Sequence, residues 1–339
     1  MLSIDGSFGE GGGQIIRSSL ALSLVTGKAF RVYNVRAGRP KPGLQPQHLT
    51  AVRAAAEVGG ARVEGAGVGA REFTFLPGEV TAGQYRFPIG TAGSTTLVMQ
   101  TVLPPLLRAS GPSLLTFEGG THNPHAPPFD FIEKTFLPLV NRTGPTVTVE
   151  LERYGFYPPG GGRFSVYVEP GAEARRLDLV ERGVVLAKRA RALCVNLRAD
   201  IGERELKVAA EQLGLTLDQL RLDTSENAIS PGNVFTVEVE SELLTEVFTG
   251  VGQRGVRAEQ VAARAVEEAK RYLEVGAPVG EHLADQLLIP LALAAGGSYT
   301  TGPLTPHTTT NIEVVRKFLP VEITTTQLTE DVWKVEVLV

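Results

Sequence analysis

The sequence predicts a mixed α/β fold built by repetition, and three observations carry that prediction. One plan recurs three times along the 339 residues: a helix, a strand, a proline-rich loop holding histidine, then a second helix. Alternating strand pairs stand between these units, as in TVTVELERYGFY and RFSVYVEP around the turn PPGGG. Residues 181–275 break the plan and read as a self-contained α/β unit. Two helices packed on one face of a small sheet, three times over, is the implied architecture. It divides the chain into a large domain, 1–180 with 276–339, and an inserted small domain, 181–275.

The first unit opens on GSFGEGGGQIIR, residues 6–17. Ile16, Leu20 and Leu24 then recur at helical spacing, and Gly27 supplies the stop. The strand FRVYNV follows, then the loop RAGRPKPGLQPQH and the helix LTAVRAAAEV, ended by Gly59. In the second unit STTLVMQTVLPPLLR precedes the strand SLLTFEG, the loop GTHNPHAPP and the helix FDFIEKTFLPLV. In the third, EHLADQLLIPLALAAGG precedes SYTTG, the loop PLTPH and the helix TTNIEVVRKFL. The insert, expected between the second and third units, runs strand (RALCVNLR), helix (ERELKVAAEQLG), strands around NVFTVEVESELLTEVFTGVG, and helix (AEQVAARAVEEAKRYL). Its charges fall on helix faces, which is the pattern of solvation, and no chemistry is assigned to it.

Composition narrows the function. An apolar fraction of 42% with 21% charged residues is ordinary for a globular protein. No run of ~18 apolar residues exists to span a membrane. MLSIDGSFGE lacks the basic and apolar regions of a secretory signal, so a cytoplasmic protein is expected. The single cysteine, Cys194, lies in an apolar strand-like run and reads as a buried structural thiol. A net charge of −4 argues against loose nucleic-acid binding. Yet residues 1–50 carry six Lys and Arg against Asp5 and Glu10, a local excess of +4. Such a face suits a small phosphorylated ligand or one nucleic-acid end, not a long duplex.

The glycine run is the sharpest local feature. It feeds a helix N-terminus, where free N–H groups and the helix dipole attract anions, and Gly11, Gly12 and Gly13 let a phosphate approach the main chain. Glu10, a carboxylate in such a place, makes sense if it holds a divalent cation against the phosphates. The spacing is neither a Walker loop nor a Rossmann fingerprint, and the same run also reads as a flexible turn before a packed helix. Four of the five histidines, His48, His122, His125 and His307, lie in the three equivalent loops. His307 follows a proline among hydroxyl residues at a helix start. Neutral imidazole is a nucleophile near pH 7 and can attack phosphorus directly; an incidental exposed residue at a helix cap is the alternative. His48 is expected to contact a ligand or cap its helix. His122 and His125 have no partner cluster, so zinc is not expected, and their loop reads as a wall. Arg36 and Arg39 flank a glycine in a proline-stiffened loop suited to bidentate phosphate contact, or are solvated surface charges. Asp285 and Gln286 sit inside a helix that would face the same edge. No G-x-S-x-G elbow supports a serine hydrolase.

Together GSFGEGGGQIIRSSLALS, RAGRPKPGLQPQHLTAV, GTAGSTTLVMQTVLP, GGTHNPHAPPFDFI, YGFYPPGGG, GEHLADQLLIPLALA and PHTTTNIEVVRKFLP resemble the RNA 3′-terminal phosphate cyclase family. The motifs stand in the family's order through nearly all of the chain outside the insert. The resemblance implies three two-helix, four-stranded units similar to the C-terminal domain of bacterial translation initiation factor three, with a thioredoxin-like insert before the last. It implies conversion of an RNA 3′-phosphate end to a 2′,3′-cyclic phosphate with ATP and a divalent cation, Mg2+ or Mn2+. AMP passes first to a histidine, then to the RNA phosphate, and leaves when the 2′-hydroxyl attacks. His307 matches the adenylated histidine and Glu10 the metal-contacting glutamate. Arg17, Arg36, Arg39, Gln47 and His48 match phosphate-pocket positions, and Gln100, Pro127, Phe131, Asp285 and Gln286 match positions around the nucleotide, with Phe131 as a wall for adenine. His282 stands where relatives often carry tyrosine beside adenine, which puts the preference for ATP over GTP in question. Tyr154, where others tend to have His or Arg, has no functional reading. A eukaryotic relative active in ribosome assembly lacks the nucleophilic histidine and is the main rival; an enolpyruvyl transferase of related repeat architecture ranks behind it. Oligomeric state is left open, a homo-oligomer included.

Overall fold

The computed structural model describes every residue from Met1 to Val339. In the first unit β1 (Leu2–Asp5), α1 (Gly13–Thr26), β2 (Phe30–Tyr33), α2 (Pro46–Val58), β3 (Arg62–Glu64) and β4 (Phe73–Leu76) form a sheet ordered β1-β2-β4-β3. The second unit repeats this with β5 (Gln84–Pro88), α3 (Thr95–Leu106), β6 (Ser113–Gly119), a second helix, β7 (Thr146–Arg153) and β8 (Gly162–Glu169), ordered β5-β6-β8-β7. That second helix runs as α4 (Phe129–Phe131), a π turn (Ile132–Phe136) and α5 (Leu137–Arg142).

The chain next lays down β9 (Leu177–Leu179) and leaves for a separate sheet. Here β10 (Val185–Val195), α6 (Asp200–Leu213), β11 (Leu220–Ser225), β12 (Gly232–Ser241), β13 (Thr245–Val251) and α7 (Ala258–Val275) give the order β11-β10-β12-β13. It returns with α8 (Glu281–Leu293), β14 (Gly297–Thr301), α9 (Pro306–Phe318), β15 (Glu322–Gln327) and β16 (Trp333–Leu338). β9 pairs in parallel with β14, from Leu177 opposite Gly297 to Leu179 opposite Tyr299, and the sheet order is β9-β14-β16-β15. All three units therefore share one connectivity. The inserted sheet interrupts the third unit after its first strand, rather than preceding the unit. Three residues of strand are too short to show an alternation, which is why the sequence assigns no strand there and sets the insert over 181–275 ahead of the third unit instead of inside it.

Alternation decides which sheet face is covered. In β6, Leu115 and Phe117 are fully buried while Leu114 points out. Helix α1 is different: Ile15, Ile16, Leu20, Ala21, Leu22 and Leu24 are all buried, so it is apolar nearly all round. It packs against α2, α3 and α9, at the centre where the three units meet. One continuous apolar core runs through all three units, and the inserted sheet has its own between α6, α7 and its inner face. No helix is long and apolar enough to cross a membrane.

Aromatic and charged contacts bind these parts. The buried Phe30 ring of β2 lies 5.9 Å from Phe318 of α9, joining the first unit to the third. Between the second unit and the insert, Arg191 of β10 donates to Asp130 at 2.9 Å, and the opposite Asp130 oxygen lies 2.8 Å from His122 Nε2. Burial raises the Asp130 carboxyl, but His122 and Arg191 pull it down to about 2. Tyr154 completes this group, its hydroxyl 3.5 Å from the Arg191 guanidinium.

Removing the Phe318 ring opens a cavity at the junction of units. Phe318→Ala is expected to lower stability by about 3–5 kcal/mol, the range for truncating buried aromatics, read as a shifted urea midpoint with unchanged slope. A loss below about 1 kcal/mol would show that the junction is not a packing site.

Candidate active site

The site forms where the N-terminus of α1 meets the starts of α2, α8 and α9. Helix α1 begins at Gly13 with Gly12 as its cap, and the N–H groups of Gly12 and Gly13 have no partner in the chain. Four charged or polar side chains crowd this end. A Cβ at Gly12 would lie 2.7 Å from Glu10 Oε1 and 2.9 Å from Arg39 Nη2; one at Gly13 would lie 2.6 Å from His48 Nε2 and 2.7 Å from Arg17 Nη1. A Cβ at either position would push these side-chain ends apart, so glycine at 12 and 13 lets the cluster close over the helix end.

Glu10 is nearly buried and ion-paired with Arg39, whose guanidinium also donates to the Glu10 carbonyl at 2.7 Å. The Glu10 carboxylate accepts from the Gln14 N–H at 3.3 Å, and the Glu10 N–H donates to Thr310 Oγ1 at 2.9 Å. The glycine loop is thus pinned to α9 one turn beyond His307. Arg17 makes none of the protein's ion pairs; burial lowers its pKa, while Glu10 and Asp285 oppose that. Arg36, with φ +53°, turns its guanidinium back onto the carbonyls of Lys41 and Gly43 and so holds the loop that presents Arg39.

His48 stands in the first turn of α2, almost fully buried. Its Nδ1 accepts from the Gln45 N–H at 3.1 Å, so its Nε2 carries the proton and faces the α1 terminus. Burial, then the charges of Arg17 and Arg36, push its pKa down to about 3. It is a neutral hydrogen-bond donor at any physiological pH.

His307 lies in the first turn of α9, not before it. Its Nδ1 is 3.1 Å from Gln14 Oε1. The Gln14 amide nitrogen donates to Asp285 Oδ2, which fixes the amide orientation and makes Oε1 the acceptor of an Nδ1–H. Nε2 of His307 therefore keeps its lone pair. Burial is the chief cause holding the His307 pKa below the ordinary imidazole range, with Arg17 and Arg39 adding to it and Glu10 opposing. Burial also raises Asp285 to about 7, against the pull of Arg17. Asn311, one turn beyond His307, accepts from Ser18 Oγ at 2.7 Å and donates to the Asp285 carbonyl at 2.8 Å, which ties α9, α1 and α8 together.

A cavity of about 520 Å³ opens from His307. Gln14 and Arg17 line it, with Gln100, Pro127, Phe131, His282, Asp285 and Gln286. Gln100 donates to Gln286, which in turn donates to the His282 carbonyl. His125 also lines it, whereas His122 is sealed in the buried group with Asp130. The sequence-predicted residues thus fall into two neighbourhoods, the cavity and the cluster of Glu10, Arg17, Arg39 and His48, joined at Gln14, Arg17 and His307. Gln47 belongs to neither: it is exposed on α2, beside Gly93. Gln14 went unnoticed in the sequence; its signal is a lone amide in the first turn of the helix that the glycine run feeds. No three His, Cys, Asp or Glu side chains come together as a metal cluster, so a cation here would share Glu10 with oxygens of a ligand.

A model of the RNA 3′-terminal phosphate cyclase family matches residues 8–325. The chain is 51% identical over 321 residues to the RNA 3′-terminal phosphate cyclase of Koribacter versatilis, covering 95% of this chain and 90% of that one. It is 49% identical over 336 residues to the protein of that name from Pseudomonas fluorescens, covering 99% and 97%. Among solved structures, the enolpyruvyl transferase NikO of Streptomyces tendae aligns at a TM-score of 0.37 and 10% identity over 99% of this chain and 48% of that one, a likeness too low to carry any argument.

The buried His48 gives a pH signature. The unfolded chain binds a proton at this ring below pH 6.5, the folded chain only near pH 3, so stability falls as pH drops through 6.5. Wild type should lose stability relative to His48→Gln between pH 7 and 5, approaching about 1.4 kcal/mol per pH unit. Parallel stability curves for the two proteins would contradict a buried neutral ring.

Proposed function

The chain belongs to the RNA 3′-terminal phosphate cyclase family, and from that premise we propose that it converts an RNA 3′-phosphate to a 2′,3′-cyclic phosphate at the expense of ATP, through His307. One observation carries the reading: Gln14 engages Nδ1 of His307 and leaves Nε2 free at the junction of a cavity and an anion-attracting helix end. On this reading ATP lies in the cavity with its base between His282 and Phe131. Nε2 attacks the α-phosphorus, a P–N bond forms and pyrophosphate leaves. An oxygen of the RNA 3′-phosphate then attacks the same phosphorus, breaking the P–N bond and giving an RNA end capped by AMP through a pyrophosphate link. The adjacent 2′-hydroxyl attacks the RNA phosphorus, AMP departs, and the ring closes.

The residues divide this work by their chemistry. A neutral His307 needs no prior deprotonation, and its depressed pKa keeps it so. The Nδ1 proton held by Gln14 is the one that bears positive charge as the bond forms, and the path through Gln14 to Asp285 stabilises it. Arg17, Arg39, the His48 N–H and the free amides of Gly12 and Gly13 face the charge developing on phosphate oxygens. A divalent cation held by Glu10 would neutralise the departing pyrophosphate, with Arg39 released from Glu10 to meet it. The second finer reading concerns architecture: the three units resemble the C-terminal domain of initiation factor three, and the insert over 181–275 is thioredoxin-like.

Two experiments test this. Glu10→Ala should keep the fold and slow transfer of label from α-labelled ATP to protein by at least about a hundredfold; an unchanged rate and metal dependence would remove Glu10 from the reaction. If His307 only carries AMP, His307→Ala should take no label and fail on RNA 3′-phosphate, yet still cyclise RNA whose 3′-phosphate already bears AMP, because the 2′-hydroxyl is already in reach. Failure on the pre-activated RNA would show that His307 also moves a proton in ring closure, and labelling of the variant would show that the nucleophile is another group.

A further inference from the structure

The inserted unit supplies none of the reacting groups, yet it borders the cavity through Thr249 and Gly250 of β13 and Arg264 and Glu268 of α7. It also grips the helix that carries Asp285. Glu246 of β13 is 2% exposed, and its Oε1 accepts from the N–H of Gly280 at 2.6 Å. Gly280 is the N-cap of α8, and its own carbonyl accepts from the N–H groups of Leu283 and Ala284 at 3.1 and 3.0 Å. In a capping box, the side chain at the third helical position accepts from the N-cap N–H. That position in α8 is Leu283, which has no acceptor, and Glu246 takes the role from the insert. The approach is close: a Cβ at Gly280 would lie 2.9 Å from Glu246 Oε1. Tyr272 of α7 holds the same connection, its hydroxyl donating to the Pro278 carbonyl at 2.9 Å. Asp285 follows five positions after Gly280 and accepts from the Gln14 amide, whose oxygen meets Nδ1 of His307.

We propose that Glu246 is a positioning residue for His307, acting from the insert through α8, Asp285 and Gln14. The proposal rests on the reading that His307 is the nucleophile. Without an acceptor at position 246 the buried Gly280 N–H is left unpaired, and the first turn of α8 shifts to find a partner. Asp285 lies in the next turn and moves with it. Once its carboxyl leaves the Gln14 amide, nothing fixes which end of that amide faces the imidazole. A reversed amide offers an N–H to Nδ1. The ring proton then resides on Nε2, and the attacking lone pair is lost. Burial raises the Glu246 pKa to about 8, with the N–H groups of Gly280 and Val247 opposing. At pH 7 the side chain is therefore mostly a neutral acid, and glutamine reproduces its shape, its charge and its acceptor.

The test compares three proteins at pH 7: wild type, Glu246→Met, which keeps the volume without the acceptor, and Glu246→Gln, which keeps both. Nitrogen-15 labelling of histidine gives five ring systems in this chain, and the one missing from His307→Ala is His307. Wild type should show His307 protonated at Nδ1 and bare at Nε2. In Glu246→Met a His307 form protonated at Nε2 should appear. Single-turnover transfer of label from α-labelled ATP should slow at least about tenfold in the same variant, within the cost of a small misplacement. Glu246→Gln should keep the wild-type tautomer and a rate within about threefold of wild type. A merely structural Glu246 would lower the melting temperature and leave tautomer and rate, both read well below it, where they were. The wild-type tautomer with a rate within about twofold in Glu246→Met overturns the proposal, as does a Glu246→Gln protein as slow as Glu246→Met. Glu246→Ala replaces Glu246→Met under the same criteria if the latter does not fold. Failure of wild type to take label would instead sink the nucleophile reading, while the tautomer comparison would still decide whether Glu246 orients the ring.

Discussion

Everything at the site depends on how closely side chains approach the N-terminus of α1 across Gly12 and Gly13. With a larger residue there, the ends of Glu10, Arg39, Arg17 and His48 would have to move apart. Their proximity then fixes the electrostatics. Three cationic or donor groups and two free amides face one carboxylate, a surplus of positive potential that only an anion complements. The same crowding keeps His48 neutral and depresses the pKa of His307. Burial at this helix end, with the charges gathered there, therefore sets the protonation states that the proposed chemistry uses.

The central position of α1 follows from the threefold design. Each unit contributes two helices to a shared core, and α1 is the one surrounded by the others. Its buried length is apolar apart from three serines, but its first turn must face the histidine of α9 and the aspartate of α8. Gln14 meets that demand with one amide, accepting an Nδ1–H at one end and donating to a carboxylate at the other. An amide cannot itself ionise, so it fixes the imidazole tautomer without competing for the proton. The insert, interrupting the third unit, brings α7 beside α8 and closes the cavity that the three units alone would leave open.

Much of this was legible in the chain. The glycine run, the three proline-rich loops and the stops at Gly27 and Gly59 are local signals, and each stands where the sequence put it. Strand β6 occupies the very residues of SLLTFEG because its alternation is strong. The unread parts are those whose meaning lies in distant partners. Gln14 and His307 are separated by 293 positions, so no spacing rule could pair them. Arg36 reads in the sequence as a phosphate ligand, and only the folded loop shows its Nη1 donating to the Lys41 and Gly43 carbonyls. Glu268 sits on a charged helix face, a pattern that normally means water, and only the position of the insert turns that face towards the cavity. β9 was missed for a simpler reason: three residues carry too little pattern.

The central claim is that His307, held by Gln14 through Nδ1, is the nucleophile and acts through Nε2. The most direct measurement is to incubate the wild-type protein with ATP and a divalent cation, digest it under alkaline conditions, and locate bound AMP by mass spectrometry. Nuclear magnetic resonance of the modified peptide then identifies the substituted nitrogen. The account predicts a single acid-labile AMP on His307, attached at Nε2. AMP on a lysine, on another histidine or at Nδ1 of His307 would contradict it.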